Sequence, residues 1–263
     1  MTTGKWKCWI CDTKGGSLYT LGKKFGATKH QLEQLANASG YKPPRTFQES
    51  TETVKELVLP PEYIPLWIER PDLIYRHAKA YLTKRGVTFD DILRYQIGYC
   101  SEGDYKNRII IPSFDADNTL NYFIAREFFD GSMKYKNPPV SKNVVMFENQ
   151  INWREPIVLV EGAMDAISVR RNAIPLLGKT LPPILEQRLA DYAVKEVTVM
   201  LDPDARKNAI QVCEILVSKE IQTYLVDVPE GQDAGSLGFE GCWKYINQRQ
   251  PVDFQSIIGM KLA

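Results

Sequence analysis

Four short, nearly unbroken apolar runs in the second half of the chain, PIVLVEG, AIPLLG, EVTVMLD and TYLVDV, constrain the fold more than any other feature. A strand that is apolar on both faces needs cover on both faces, which is the situation of a parallel sheet. Helical segments separate the runs. In the third, Ala205, Ala209, Val212, Cys213 and Leu216 recur at the spacing of one helix face. Alternating strands and helices predict a doubly wound parallel sheet with right-handed crossovers. Ligand sites in such sheets form beyond the carboxyl ends of the strands.

Those ends are acidic. The first run closes on Glu161-Gly162, with Asp165 three residues on. The third closes on LDPD, with Asp202 and Asp204, and the fourth leads into DVPEGQDAG, with Asp227 and Asp233. Pro203 keeps Asp202 out of the helical region, so Asp202 and Asp204 are expected to point the same way and converge. Crowded carboxylates repel unless they are protonated or bridged by a cation. Hard oxygen ligands of this kind suit Mg²⁺, which keeps part of its water and meets substrate phosphates. Glu161 is expected either to share that site or to act as a general base. Asp165, taken alone, reads as a helix cap. LLGKT at 176–180 ends like a phosphate-binding loop, but the first glycine of that motif falls on Ala173 and LPP follows where a helix should begin. A nucleotide-driven motor is therefore not expected.

The preceding segment has a different texture. A helical pattern begins at Pro71, and Thr88 opens a second short helix with a Thr-x-x-Asp capping box. NRIIIPSF and NYFIAREFF then read as two antiparallel strands joined by DADN, with another reversal at Asp130-Gly131. Arg108 and Arg126 sit in these strands. Lys134, Lys136 and Lys142 follow around Tyr135 in a stretch from Ser132 to Phe147 without an acidic residue. Basic side chains beside an aromatic ring suit a surface that holds phosphates and stacks bases.

Upstream, YKPPRTFQESTETVKELVLPPEYIPL reads as a linker. Before it lie a short β element with a Gly-rich turn and a helix from Thr28 to Ala38, with Gly40 as its stop. Cys8 and Cys11, in KCWICDTKGG, have the spacing of half a tetrahedral zinc site; Cys100, Cys213 and Cys242 stand alone, and His30 and His77 are the only histidines. The net charge of +1 neither demands nor excludes a nucleic-acid partner. No apolar run is long enough to cross a bilayer, and five cysteines without an export signal point to a reducing, cytoplasmic setting.

Taken in order, Glu161-Gly162 with Asp165, LDPD and PEGQDAG resemble a Toprim domain. YLTKRGVTFDDILRYQIGYC, NRIIIP, AREF and KYKN resemble the segments that precede it in bacterial-type DNA primases, including those of phages. NAIPLLGKTLPP resembles the second Toprim strand, and KCWICDTKGG the second half of the primase zinc ribbon. The resemblance implies an α+β chain: a Toprim-type doubly wound sheet, preceded by a basic α+β subdomain with antiparallel strands and a small zinc-ribbon remnant. It divides the chain into the ribbon element (1–40), a linker (41–69), the basic subdomain (70–152), the Toprim domain (153–240) and a C-terminal tail (241–263). It further implies synthesis of short RNA primers on single-stranded DNA from ribonucleoside triphosphates. Glu161, Asp202 and Asp204 would hold Mg²⁺ or Mn²⁺ and catalyse. Asn107, Arg108, Arg126, Lys134, Lys136, Asn137, Asp165 and Asp233 would bind nucleotide and template. Cys8 and Cys11 would give Zn²⁺ two of its four ligands; the other two would come from a separately encoded upstream polypeptide, from an N-terminal segment lost through a misassigned start, or from nothing at all, unless His30 or Cys100 folds back. A replicative helicase would act as a separate chain, with no membrane partner. Strand cleavage by a Toprim nuclease or topoisomerase, and a non-catalytic nucleic-acid-binding subunit, are the alternatives.

Overall fold

The computed structural model describes residues 6–7, 14–24, 27, 29–39, 57–129, 131 and 133–262. Cys8 and Cys11 lie outside them, as does Gly40. The chain divides into two units, Met1–Glu56 and Leu57–Ala263.

In the first unit a two-stranded antiparallel hairpin pairs β1 (Trp6–Lys7) with β2 (Lys14–Gly15). The indole of Trp6 donates to the Ser17 carbonyl at 3.0 Å. Two helices follow, α1 (Leu18–Lys24) and α2 (Lys29–Ser39), the second within a residue of its expected bounds.

The second unit opens with β3 (Tyr63–Pro65), α3 (Leu73–Lys84), α4 (Phe89–Arg94), β4 (Gly98–Cys100), β5 (Arg108–Phe114) and β6 (Leu120–Glu127). The strands form one antiparallel sheet in the order β3-β4-β5-β6. Asp72 caps α3 by accepting from the Tyr75 amide at 2.7 Å. Thr88 and Asp91 form the expected capping box on α4: the Asp91 carboxylate accepts from both the Thr88 amide, 2.8 Å, and its hydroxyl, 2.7 Å. Residues 57–69, read from sequence as the end of a linker, instead belong to this body. β3 pairs with β4, Leu66 is buried, and Leu57 and Leu59 pack on the sheet face that carries Ile110, Phe123 and Ala125. Prolines at 60, 61 and 65 mimic a linker composition, but an edge strand tolerates them.

The doubly wound sheet follows: β7 (Ile157–Val160), α5 (Ala163–Val169), β8 (Ala173–Pro175), α6 (Pro183–Asp191), β9 (Glu196–Met200), α7 (Arg206–Ser218), β10 (Gln222–Leu225), α8 (Ala234–Ile246), β11 (Gln250–Val252) and α9 (Phe254–Leu262). Its order is β11-β10-β9-β7-β8, parallel except for the antiparallel edge strand β11. The residues read as a C-terminal tail therefore complete α8, add that edge strand and end in a helix whose Ile257 is buried against α7 and the sheet.

Alternate residues of β7 face opposite layers. Val158 and Val160 pack with α5 and α8, while Ile157 and Leu159 pack with α6 and α7. Ala209, Val212, Cys213 and Leu216 on α7, and Ala205 just before it, are all buried. The first of these cores also contains Ile109, Ile111, Tyr122 and Ile124, so the antiparallel sheet and the doubly wound sheet share one apolar interior. Buried Asp91 adds an ion pair across the same junction, 3.0 Å from the Arg170 guanidinium at the end of α5. Thr88→Ala should remove the reciprocal cap and cost about 1 kcal/mol, read as a lower urea midpoint with unchanged slope.

Candidate active site

The strand order creates a topological switch. From β7 the chain crosses by α5 to β8 on one side, then returns by α6 to β9 on the other. The loops leaving β7 and β9 therefore diverge and open a crevice. Val160 and Met200 are register partners at the ends of these strands, so Glu161 and the Leu201-Asp202 step leave the sheet side by side. Asp202 is extended (φ −61°, ψ 152°), but Asp204 lies in a 3-10 turn, Pro203–Ala205, rather than an extended step. The two still converge. Carboxylate oxygens of Glu161, Asp202 and Asp204 all lie within 4.8 Å of one another.

Burial and charge strain this cluster. Glu161 is pushed up from the usual 4.5 to about 7, first by burial and then by Asp202, with Asp204 and Asp165 adding to it and Lys179 opposing. Asp202 is raised by burial, then by Asp233 and Asp204. Asp165 is raised to about 6 by burial, Asp202 and Asp233. Backbone amides offset part of that: Asp165 accepts from Gly162 at 2.9 Å and Gly235 at 3.1 Å. Asp165 is thus the cap that its position suggested and a member of the acidic cluster as well. A Cβ on Gly235 would stand 3.3 Å from both the Asp165 and the Asp233 carboxylates, a close approach that favours glycine there. Glu161 Oε2 is buried without a hydrogen-bond partner. An orphaned carboxylate oxygen in a cluster of hard donors fits a divalent cation.

The crevice continues into a cleft of about 400 Å³ with two unlike walls. Glu161, Asp165, Asp202 and Asp233 line one side. Arg85, Arg126, Lys134, Tyr135, Asn137 and Lys142 line the other. The Tyr135 bridge to Arg126 positions this second wall, supported by the Glu127 amide bonded to the Lys134 carbonyl at 3.0 Å and the Lys136 amide bonded to the Ala125 carbonyl at 2.9 Å. Asn137 Oδ1 accepts from the Ala125 amide at 3.2 Å. Arg126 donates to the hydroxyls of Tyr81 and Tyr135. Both are neutral groups, so the guanidinium keeps its charge for the cleft.

Three residues expected at the site lie elsewhere. Arg108 is buried, paired with Glu127 at 3.0 Å and bonded to the Met133 carbonyl at 3.0 Å. Asn107 turns the chain into β5 with a left-handed φ of 60° and buries its side-chain oxygen. Lys136 reaches the Asp104 carbonyl at 2.7 Å. Asp227 pairs with Arg206 and does not line the cleft. Conversely, Arg85 and Lys179 were not anticipated. Lys179 donates to Asp204 at 2.7 Å; it belongs to LLGKT, set aside as a false phosphate loop although it follows β8 at the same end of the sheet. Cys100, Cys213 and Cys242 are buried, and burial pushes each thiol up to about 12, so none suits a metal. Among the described residues no helix is long and apolar enough to cross a membrane.

Comparison with known proteins bears on the fold that carries this site. Residues 158–237 match the Toprim-like family. A DNA primase of Clostridium acetobutylicum is 29% identical over 143 residues, 49% of this chain and 24% of the relative. A DNA primase of Chlamydia pneumoniae is 24% identical over 224 residues, 66% of this chain and 38% of the relative. The DnaG primase catalytic domain bound to ssDNA superposes with a TM-score of 0.60 at 21% identity, covering 69% of this chain and 74% of that one. The fold is that of a primase catalytic core. The chain spans less than two fifths of the length of either curated primase.

The acidic cluster has a pH signature. Folding favours the protonated form of Glu161, so in a chelator the stability it lends is full below pH 4.5 and lost as pH rises through 7. Glu161→Gln cannot ionise. Its melting temperature in EDTA should match the parent chain near pH 4.5 and exceed it by about 2 °C above pH 7. A gap independent of pH would contradict the assignment of strain to this carboxylate.

Proposed function

We propose that this chain is a DNA primase, a template-directed RNA polymerase that makes short primers on single-stranded DNA from ribonucleoside triphosphates. The observation that carries the reading is the Glu161–Asp202–Asp204 cluster at the sheet's switch point, of which Glu161 and Asp202 share one cleft with a basic and aromatic wall. Glu161, Asp202 and Asp204 would hold Mg²⁺ or Mn²⁺, which when bound lowers the pKa of an attacking hydroxyl and stabilises leaving pyrophosphate.

The chain's own residues do the positioning. Asp165 and Asp233 brace the acidic loops through backbone amides and the cap of α8. Arg85, Arg126, Lys134 and Lys142 neutralise the triphosphate and template backbone, while Tyr135, 41% exposed, offers a ring on which a base can stack. Asn137 holds the second wall in register. Cys8 and Cys11 would contribute to a zinc ribbon completed by another polypeptide, a helicase on a separate chain would deliver template, and the cytoplasm is the matching compartment.

Ribonucleotide incorporation on a single-stranded DNA template tests the reading. Asp202→Asn, or Asp202→Ala with Asp204→Ala, should lower incorporation by roughly a thousandfold while leaving the circular dichroism spectrum unchanged. Normal dinucleotide formation by these variants would sink the assignment. Shortening of a labelled template without ribonucleotides would favour strand cleavage instead. Lys134→Ala and Lys142→Ala should each weaken single-strand binding and flatten the slope of log affinity against log salt by about 0.7, measured by fluorescence anisotropy.

A further inference from the structure

Lys179 extends from the loop between β8 and α6, directly after Leu177 and Gly178, which line the cleft. Leu177 takes a left-handed φ of 55° in that loop. The Lys179 ammonium lies 2.7 Å from Asp204 Oδ2, on one of the three carboxylates that would hold a divalent cation. Ammonium and cation therefore compete for the same group. The contact is weak enough to yield: the Asp204 side chain is 74% exposed, and an exposed ion pair is worth little. Lysine carries a compact charge on a flexible four-carbon stem, so a displaced ammonium stays tethered beside the cleft that Leu177 and Gly178 line.

Charge balance says where it would go. One divalent cation on the three carboxylates of the cluster leaves a net negative site, which opposes a polyphosphate. A lysine released from Asp204 but tethered beside it supplies the positive charge that restores neutrality.

Resting on the reading of Glu161, Asp202 and Asp204 as cation ligands, we propose that Lys179 is a tethered counter-ion that shares Asp204 with the divalent cation. It neutralises Asp204 in the empty site and, once displaced, binds the phosphate chain that the cation accompanies. Lys179 is a substrate-binding residue in this arrangement, not a prop for its loop.

Calorimetric titration of the whole chain with Mn²⁺, and then with inorganic pyrophosphate in the presence of Mn²⁺, separates these roles. In Lys179→Met, Mn²⁺ alone should bind about tenfold more tightly, because the competing charge is gone, and pyrophosphate about tenfold more weakly. Lys179→Arg keeps the charge and should stay near the parent chain in both titrations. Shifts of the same sign in Lys179→Met, or no shift in either, would overturn the proposal. Absence of Mn²⁺ binding by the parent chain is a different failure: it would remove the cation-site reading beneath the proposal and take the proposal with it.

Discussion

Like charges resist being gathered, and the second unit is organised around gathering them. Glu161 and Asp202 stand side by side because β7 and β9 are hydrogen-bonded neighbours whose last residues, Val160 and Met200, are in register. Asp165 and Asp233 are added by the helices that start from the same end of the sheet. The apolar cores beneath supply the free energy that holds these groups together. Burial first, and then the neighbouring carboxylates, raise the titration of Glu161, Asp165 and Asp202. Two glycine amides and one lysine ammonium relieve part of the repulsion. The rest is a standing demand for positive charge, and that demand is what makes the place a candidate for catalysis.

The opposite wall is fixed with equal care. Because Ile109, Ile111, Tyr122 and Ile124 share an interior with Val158 and Val160, the two sheets are parts of one packed body. Close-packed interiors transmit rather than absorb displacement. Arg94 extends the connection, donating to the Arg170 carbonyl at 3.0 Å and to Gln150 at 3.0 Å. The cleft between acidic and basic walls is therefore a product of core packing, not of loop placement.

The features legible in the sequence were those written locally. The apolar runs, the Thr88–Asp91 box, the face of α7 and the acidic strand ends each depend on residues a few positions apart. What escaped depends on pairing over distance. β3 looked like linker because its prolines speak against a strand, and only its partner Cys100, Tyr99 and Gly98 backbone makes it one. Arg108 and Arg126 looked alike, two arginines in adjacent strands. Register decides between them: Arg108 stands opposite Glu127 and pairs with it, whereas Arg126 stands opposite Ile109 and, among the described residues, donates to phenols. Lys179 was hidden for the same reason, since its carboxylate partner lies 25 positions away.

The two tyrosines that hold Arg126 have a consequence for what the cleft can recognise. A guanidinium balanced by a carboxylate is electrically silent a short distance away, but one held by neutral hydroxyls projects its full field. Facing it are carboxylates that project the reverse. The cavity is thus a capacitor whose plates are set by the fold. A lone anion is repelled by one plate and a lone cation by the other. A ligand that carries both signs in the right order, a polyanion already joined to its counter-ion, is drawn by both at once and arrives oriented.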